Sequence, residues 1–227
     1  MMKKIVGVAS QRERKVGLWD TLNSLSPQVD EIHVWLNDYT EVPFTEFENV
    51  TYYMEGNCGA TGKIKVLDFI KDSEFYFFMV DDDILYPSDY VEQNLKTYTL
   101  GTIQSSHGKV FPSLPISSFN HGDTSGYYFG GAIKEKKEIH AVGTGVCLTD
   151  SSVVRNIPYD AFLDYPNMLD IWVSAYCINK KIKMYIQPHP QNWLKPNPKI
   201  NQSNSIWETT KDREDKFRTS VFNHYIS

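Results

Sequence analysis

The chain has 227 residues, of which 41% are hydrophobic, 14% aromatic and 22% charged, enough to bury a sizeable core and too aromatic for a disordered chain. Its 23 Lys and Arg against 28 Asp and Glu leave a net charge of −5, which excludes a general electrostatic footprint for nucleic acid. Ile5 to Ala9 reads as a buried first strand. Val16, Trp19, Leu22 and Leu25 then recur every three residues and predict a helix closed by Pro27. Residues 32–36 and 50–54 read as the second and third strands. A Gly-rich loop, Gly56 to Gly62, and a helix over 63–70 follow. Phe75 to Val80 is wholly apolar and predicts a buried strand that runs straight into Asp81-Asp82-Asp83.

Beyond Asp83 the pattern predicts a helix over 87–98, one strand within 101–111, and a loop-rich stretch ending in the surface charge run 134–138. A strand over 142–148 carries Gly143 and Gly145, and a helix covers 168–180. The last strand is 182–186, with His189 just past its end. The tail, 207–225, reads as an amphipathic helix packing back through Phe217, Val221 and Tyr225. Strand alternating with helix over the first 83 residues predicts an α/β fold: a mostly parallel sheet flanked by helices in a single domain. Ligands of such sheets bind at the carboxyl ends of the strands. Ser10 to Arg14, Asn37-Asp38 and Asp81 to Asp83 all fall at such ends.

Three cysteines, Cys58, Cys147 and Cys177, supply neither a disulfide framework nor a four-thiolate zinc site. The apolar run near the N-terminus is too short for a signal core, and no stretch approaches the roughly 20 apolar residues of a membrane span. The expectation is a soluble, cytoplasmic protein; a lipid-linked acceptor, if used, would be met at the membrane surface.

Three consecutive carboxylates repel one another, and a hard divalent cation such as Mg²⁺ or Mn²⁺ is their natural neutraliser; a solvated acidic turn is the plainer alternative. Asp170 opens a helix, where it serves either as a cap or as a general base aimed into the cleft, with Asp164 as its rival. His189, between Pro188 and Pro190, is either a packing residue or a nitrogen ligand to the same cation. The segment Gly56 to Lys63 fails as a P-loop in both spacing and the residue after lysine, yet its N–H groups and Lys63 can face a diphosphate. No Gly-x-Gly-x-x-Gly follows the first strand, and no Gly-x-Ser-x-Gly elbow is present. Asp81 and Asp83 also admit a phosphatase or nucleotidyltransferase reading, and a sugar-binding module without catalysis is the non-enzymatic alternative.

In order along the chain, Val8-Ala9-Ser10-Gln11-Arg12, Asn37-Asp38, Gly59-Ala60-Thr61-Gly62-Lys63, Phe77 to Asp83 with Tyr86-Pro87, Gly143-Thr144-Gly145 and Asp170-Ile171-Trp172 resemble the motifs of GT-A glycosyltransferases, particularly the family 2 group. Two departures stand out: Ala60 replaces a loop acid, and Leu169 stands where many members carry a second acid. The resemblance implies a metal-dependent, inverting hexosyl- or deoxyhexosyltransferase that moves sugar from a UDP-sugar to a glycan hydroxyl. It assigns residues 1–100 to the nucleotide sugar, 101–195 to the acceptor and 196–227 to a tail helix. Asp83 and Asp81 would hold Mn²⁺ or Mg²⁺, with His189 as a third ligand. Ser10, Arg12, Asp38, Gly62, Lys63, Asp81 and Asp82 would bind the nucleotide sugar, and Asp170 would be the base. Tyr127, Tyr128, Phe129 and Trp193 are candidates to stack on sugar faces.

Overall fold

The structure, a computed structural model, describes residues 2–122, 124–165, 167–201 and 215–226. Strand β1 (Lys3–Gln11), helix α1 (Lys15–Leu25), strands β2 (Glu31–Asn37) and β3 (Val50–Tyr53), the short helix α2 (Gly62–Lys65) and strand β4 (Phe75–Val80) form the first half. Here β1 pairs in parallel with both β2 and β4, and β3 adds in parallel to β2. The second half runs β5 (Ile84–Leu85), α3 (Tyr90–Thr97), β6 (Ile103–Ser105), β7 (Gly108–Val110), β8 (Ser125–Tyr127), β9 (Lys137–Glu138), β10 (Ala141–Val142) and β11 (Val146–Asp150). It continues with α4 (Ser151–Val154), α5 (Leu169–Asn179), β12 (Met184–Ile186), β13 (Lys195–Pro196) and the tail helix α6 (Asp215–Ile226).

Eight strands make the main sheet, in the order β3-β2-β1-β4-β11-β6-β12-β9. Strand β11 is wedged antiparallel between β4 and β6, while β12 runs parallel to β6. Alternation along β1 and β4 sends Ile5, Phe77 and Met79 to one face, with α2, α5 and Phe222 of α6. Val6, Val8, Phe78 and Val80 face the other way, onto Leu18 and Leu22 of α1 and Tyr90 of α3. This is the mixed, mostly parallel α/β sheet flanked by helices that the sequence predicts. Among the described residues, no helix is long and apolar enough to cross a membrane.

Several elements differ from expectation, with identifiable causes. The strand expected over 142–148 is broken, because β10 pairs with β7 in a small second sheet while β11 belongs to the main one. The chain changes sheets at Gly143-Thr144-Gly145. For the same reason 101–111 holds two strands rather than one. The helix after the Gly-rich loop is a single α turn that tightens into a 3₁₀ turn, Val66–Phe69. The predicted tail helix lies partly outside the described residues; within them, its buried side chains are Arg218 and Phe222, the latter between Phe111 and Phe119 at 5.4 and 5.5 Å. Phe217 rests on Tyr165 and Tyr225 on Trp172, each at 4.8 Å, and Val221 packs against the core, so the residues expected to pack back do so, with Phe217 and Tyr225 still 39% and 40% exposed at the rim.

Helix α2 lies close against the sheet because Gly7 has no side chain. A Cβ there would stand 2.2 Å from the Lys63 carbonyl and 2.5 Å from the Phe77 ring. Gly7→Ala therefore forces α2 off β1, and a loss of about 3 kcal/mol is expected at this overpacked site. Thermal or urea unfolding reads it; a variant as stable as wild type would mean that α2 is free to shift.

Candidate functional site

The site grows from where β4 ends. Val146 lies opposite Val80, so one step further Gly145 arrives beside Asp81. The Asp81 N–H faces both the Gly145 carbonyl at 3.1 Å and the Tyr86 hydroxyl at 2.9 Å. Tyr86 in turn donates to the Gly145 carbonyl at 2.6 Å, pinning the two strand ends together. The three aspartates then part ways. Asp82 turns inward and is 2% exposed; Arg14 donates to it at 3.2 Å and to Asp83 at 3.0 Å. Burial pushes the Asp82 carboxyl up to about 6 despite Arg14, and its Oδ2 has no hydrogen-bond partner. Asp83 is also raised, by burial and by the like charge of Asp81, against the pull of Arg14 and Lys63.

Lys63, 3% exposed, forms an ion pair with Asp81. Burial pulls its ammonium down, but Asp81, Asp170 and Asp83 outweigh that and leave it raised, so it stays charged. Lys63, Asp81, Asp82 and Arg14 border one cleft, together with Gln11 and Asn37. Arg14 and Asn37 hold the places where the sequence reading put Arg12 and Asp38. A 3₁₀ turn over Arg12–Arg14 leaves Arg12 exposed and swings Arg14 back over the carboxylates. Asn37 is buried and spends its amide on the Gly-rich loop, donating to Gly59 O at 3.2 Å and accepting from Cys58 N at 2.8 Å. Asp38, exposed at a positive φ of 61°, accepts from Asn57 at 2.6 Å outside the cleft wall. Ser10 is buried against the Tyr39 hydroxyl at 3.0 Å. Gly62 is a packing position: a Cβ would meet the Trp35 side chain at 2.6 Å.

A second cavity adjoins the first, and Ala60, Lys63 and Asn167 border both. Its carboxylate is Asp170, near the start of α5; Asp164, the rival, borders neither cavity. Asp170 Oδ1 accepts from the Thr144 N–H at 2.7 Å and from the Thr144 hydroxyl at 2.5 Å. Arg218 of α6 also borders this cavity; sequence reading passed it over. Its spacing from Phe222, one helical turn on, was the signal that it shares the docking face. His107 rests against Gly143, where a Cβ would come within 2.9 Å of its ring. Burial lowers its pKa, while Asp170 and Asp81 act in the opposite direction.

His189 is 6% exposed, stacks on Trp193 at 5.6 Å and bonds through Nδ1 to the Pro190 carbonyl at 3.1 Å. In that bond Nδ1 donates, and Nε2 has no hydrogen-bond partner. Among the described residues, however, no group of three or more His, Cys, Asp or Glu side chains is placed to hold a metal ion, so His189 does not join Asp81 and Asp83. The two carboxylates suit a hard cation all the same. Three aspartates meet two cations, leaving one negative charge over, and Mg²⁺ is commonly held by one or two carboxylates plus substrate phosphates. Of the aromatic candidates, Trp193 is engaged with Asp89 at 2.9 Å, whereas Tyr128 is 51% exposed and feels the charge of Asp83.

No protein-family model matches the chain, and no curated protein matches its sequence. Among solved structures it is similar to HddC from Yersinia pseudotuberculosis (14% identical, covering 70% of this chain and 81% of that one, TM-score 0.41). It is also similar to the glycosyltransferase GlyE of Streptococcus pneumoniae (14% identical, 72% of this chain and 38% of that one, TM-score 0.42). A provisional glucose-1-phosphate thymidylyltransferase from Bacillus anthracis, in complex with a sucrose, is 15% identical over 98% of this chain and 96% of that one, with a TM-score of 0.48. Identities this low, with TM-scores below 0.5, carry no argument about activity.

Proposed function

We propose that the chain is an inverting, metal-dependent glycosyltransferase that moves a sugar from a UDP-sugar to a hydroxyl of a glycan acceptor. The observation that carries this reading is the pair of adjoining cavities: one lined by carboxylates, the buried Lys63 and the half-buried Arg14, the other by a single carboxylate, with Lys63 on the wall of both. A diphosphate needs the first set and an acceptor hydroxyl the second. Lys63 and Arg14 supply fixed positive charge to the diphosphate, where charge develops as the bond to the sugar breaks. Asp83 and Asp81 would hold Mn²⁺ or Mg²⁺, which when bound supplies Lewis-acid stabilisation of the leaving diphosphate. Asp170 takes the proton of the acceptor hydroxyl as its oxygen attacks the anomeric carbon. One base and one direct displacement invert that carbon. Tyr128 offers its exposed ring to the sugar face.

A nucleotidyltransferase using the same aspartates on an α-phosphate is the second reading; the carboxylate of Asp170 in the adjoining cavity favours the first, because an acceptor hydroxyl needs a base there. Calorimetric titration of UDP with and without Mn²⁺ tests the donor half. Wild type is expected to bind UDP only with Mn²⁺, and Asp83→Asn to weaken that binding by more than about tenfold, the equivalent of one lost charge-assisted contact of about 1.4 kcal/mol or more. Binding indifferent to Mn²⁺ and to Asp83→Asn overturns the metal assignment. Release of pyrophosphate from a nucleoside triphosphate and a sugar 1-phosphate would establish the nucleotidyltransferase instead.

A further inference from the structure

The turn between β10 and β11 is three residues long, and each residue meets one group of the site. Gly143 underlies the His107 ring, Thr144 grips Asp170, and Gly145 lies under the Asp81 carboxylate, where a Cβ would come within 1.9 Å of Oδ2. Thr144 is 2% exposed and spends both of its donors on a single oxygen of Asp170. Among the described residues, the other oxygen, Oδ2, takes no hydrogen bond.

We infer that Thr144 is the positioning residue of the active site: it fixes the rotation of the Asp170 carboxylate so that Oδ2 alone is presented to the acceptor. The inference rests on the reading of Asp170 as the base. A carboxylate at the start of a helix normally turns freely about its last torsion and offers either oxygen. Here the backbone N–H and the hydroxyl of one residue converge on Oδ1, and that bidentate grip removes the freedom. The anchor is itself rigid, since the turn is the crossing from the small sheet to the main one and is flanked by strand pairing on both sides. The bond from Ser174 Oγ to the Asp170 carbonyl and from Val142 N to Ser174 Oγ, at 2.5 and 3.0 Å, ties the first turn of α5 to the same crossing. Base and leaving-group machinery are thus set at a fixed separation by adjacent residues, Thr144 and Gly145.

Thr144→Val keeps the shape and the backbone N–H but removes the hydroxyl; Thr144→Ser keeps both donors. The assay is UDP release from UDP-glucose and UDP-N-acetylglucosamine with water as acceptor, alongside calorimetry of UDP with Mn²⁺ and the thermal midpoint. The valine variant is expected to lose about 10- to 100-fold in kcat, as for a small misplacement of a reacting group, with KM and UDP affinity within about twofold of wild type. The serine variant recovers most of that loss. A valine variant that turns over like wild type overturns the inference, as does a serine variant as impaired as valine. Should wild type bind UDP with Mn²⁺ but release none, or bind no UDP at all, the functional reading fails at the base or at the donor respectively, and the role of Thr144 falls with it.

Discussion

Gly145→Ala is expected to abolish metal-dependent nucleotide binding while leaving the fold standing. The added Cβ would sit 1.9 Å from Asp81 Oδ2 and 2.5 Å from its Cγ, with the Asp81 Cβ at 3.2 Å. Everything it strikes belongs to one partly exposed side chain, so the carboxylate swings away and the sheet does not open. Two consequences follow at once. Asp81 leaves the cleft, and the buried Lys63 ammonium loses the nearest of the charges that hold it ionised. Affinity for UDP with Mn²⁺ should fall at least tenfold and turnover by about 10²-fold. The thermal midpoint should move by no more than about 4 °C, the equivalent of roughly 1 kcal/mol in a chain of this size, because Asp170 and Asp83 still favour the charged Lys63. Unchanged binding would mean that Asp81 has no part in the donor site. A much larger drop in the midpoint would mean that the residue serves the sheet instead.

Arg14→Met is expected to act in the opposite sense, costing stability first. Arg14 is the only cation within hydrogen-bonding distance of Asp82 among the described residues, and the Asp82 side chain is 3% exposed. Breaking a buried pair from one side leaves an uncompensated charge and typically costs 3–5 kcal/mol. For a domain of this length that is a fall of roughly 6–20 °C in the midpoint. Asp82→Asn introduced alongside it removes the stranded charge and should restore most of the loss, a coupling that a double-mutant cycle measures directly. Absence of coupling would show that Asp82 is held neutral by its burial alone. Nucleotide binding should stay impaired in the double variant, because Arg14 also faces Asp83 and the cleft.

The scaffold was legible because its signals are local. Alternating strands and helices, the apolar run before the aspartates and the glycine-rich entry to α2 each appear within a dozen residues. The sheet change at residues 143–145 was not, since a continuous apolar stretch looks the same whether it serves one sheet or two. Of the residues singled out by sequence, Lys63, Asp81, Asp82 and Asp170 border the two cavities, whereas Arg12 and Asp38 do not and their neighbours Arg14 and Asn37 do. Arg12 and Arg14 are indistinguishable in a charged run, and only a 3₁₀ turn decides which of them folds back. Asn37 and Asp38 are adjacent at a strand end, where the pleat turns one inward and the other out. His189 leaves its Nε2 without a partner, yet its ring stacks on Trp193 and its backbone is bridged to Ile133. Distances of this kind are set by tertiary packing, and no spacing along the chain encodes them.

The antiparallel placement of β11 also dictates an order of assembly. Residues 3–80 can form a parallel four-stranded layer by themselves, but its outer strand is then Phe75–Val80, an unbroken apolar edge with every backbone group on one side open. Such an edge pairs with whatever extended chain it meets first. Its own partner does not exist until synthesis has passed residue 150, some seventy residues later. The chain thus spends an interval of its synthesis with its most apolar strand uncovered.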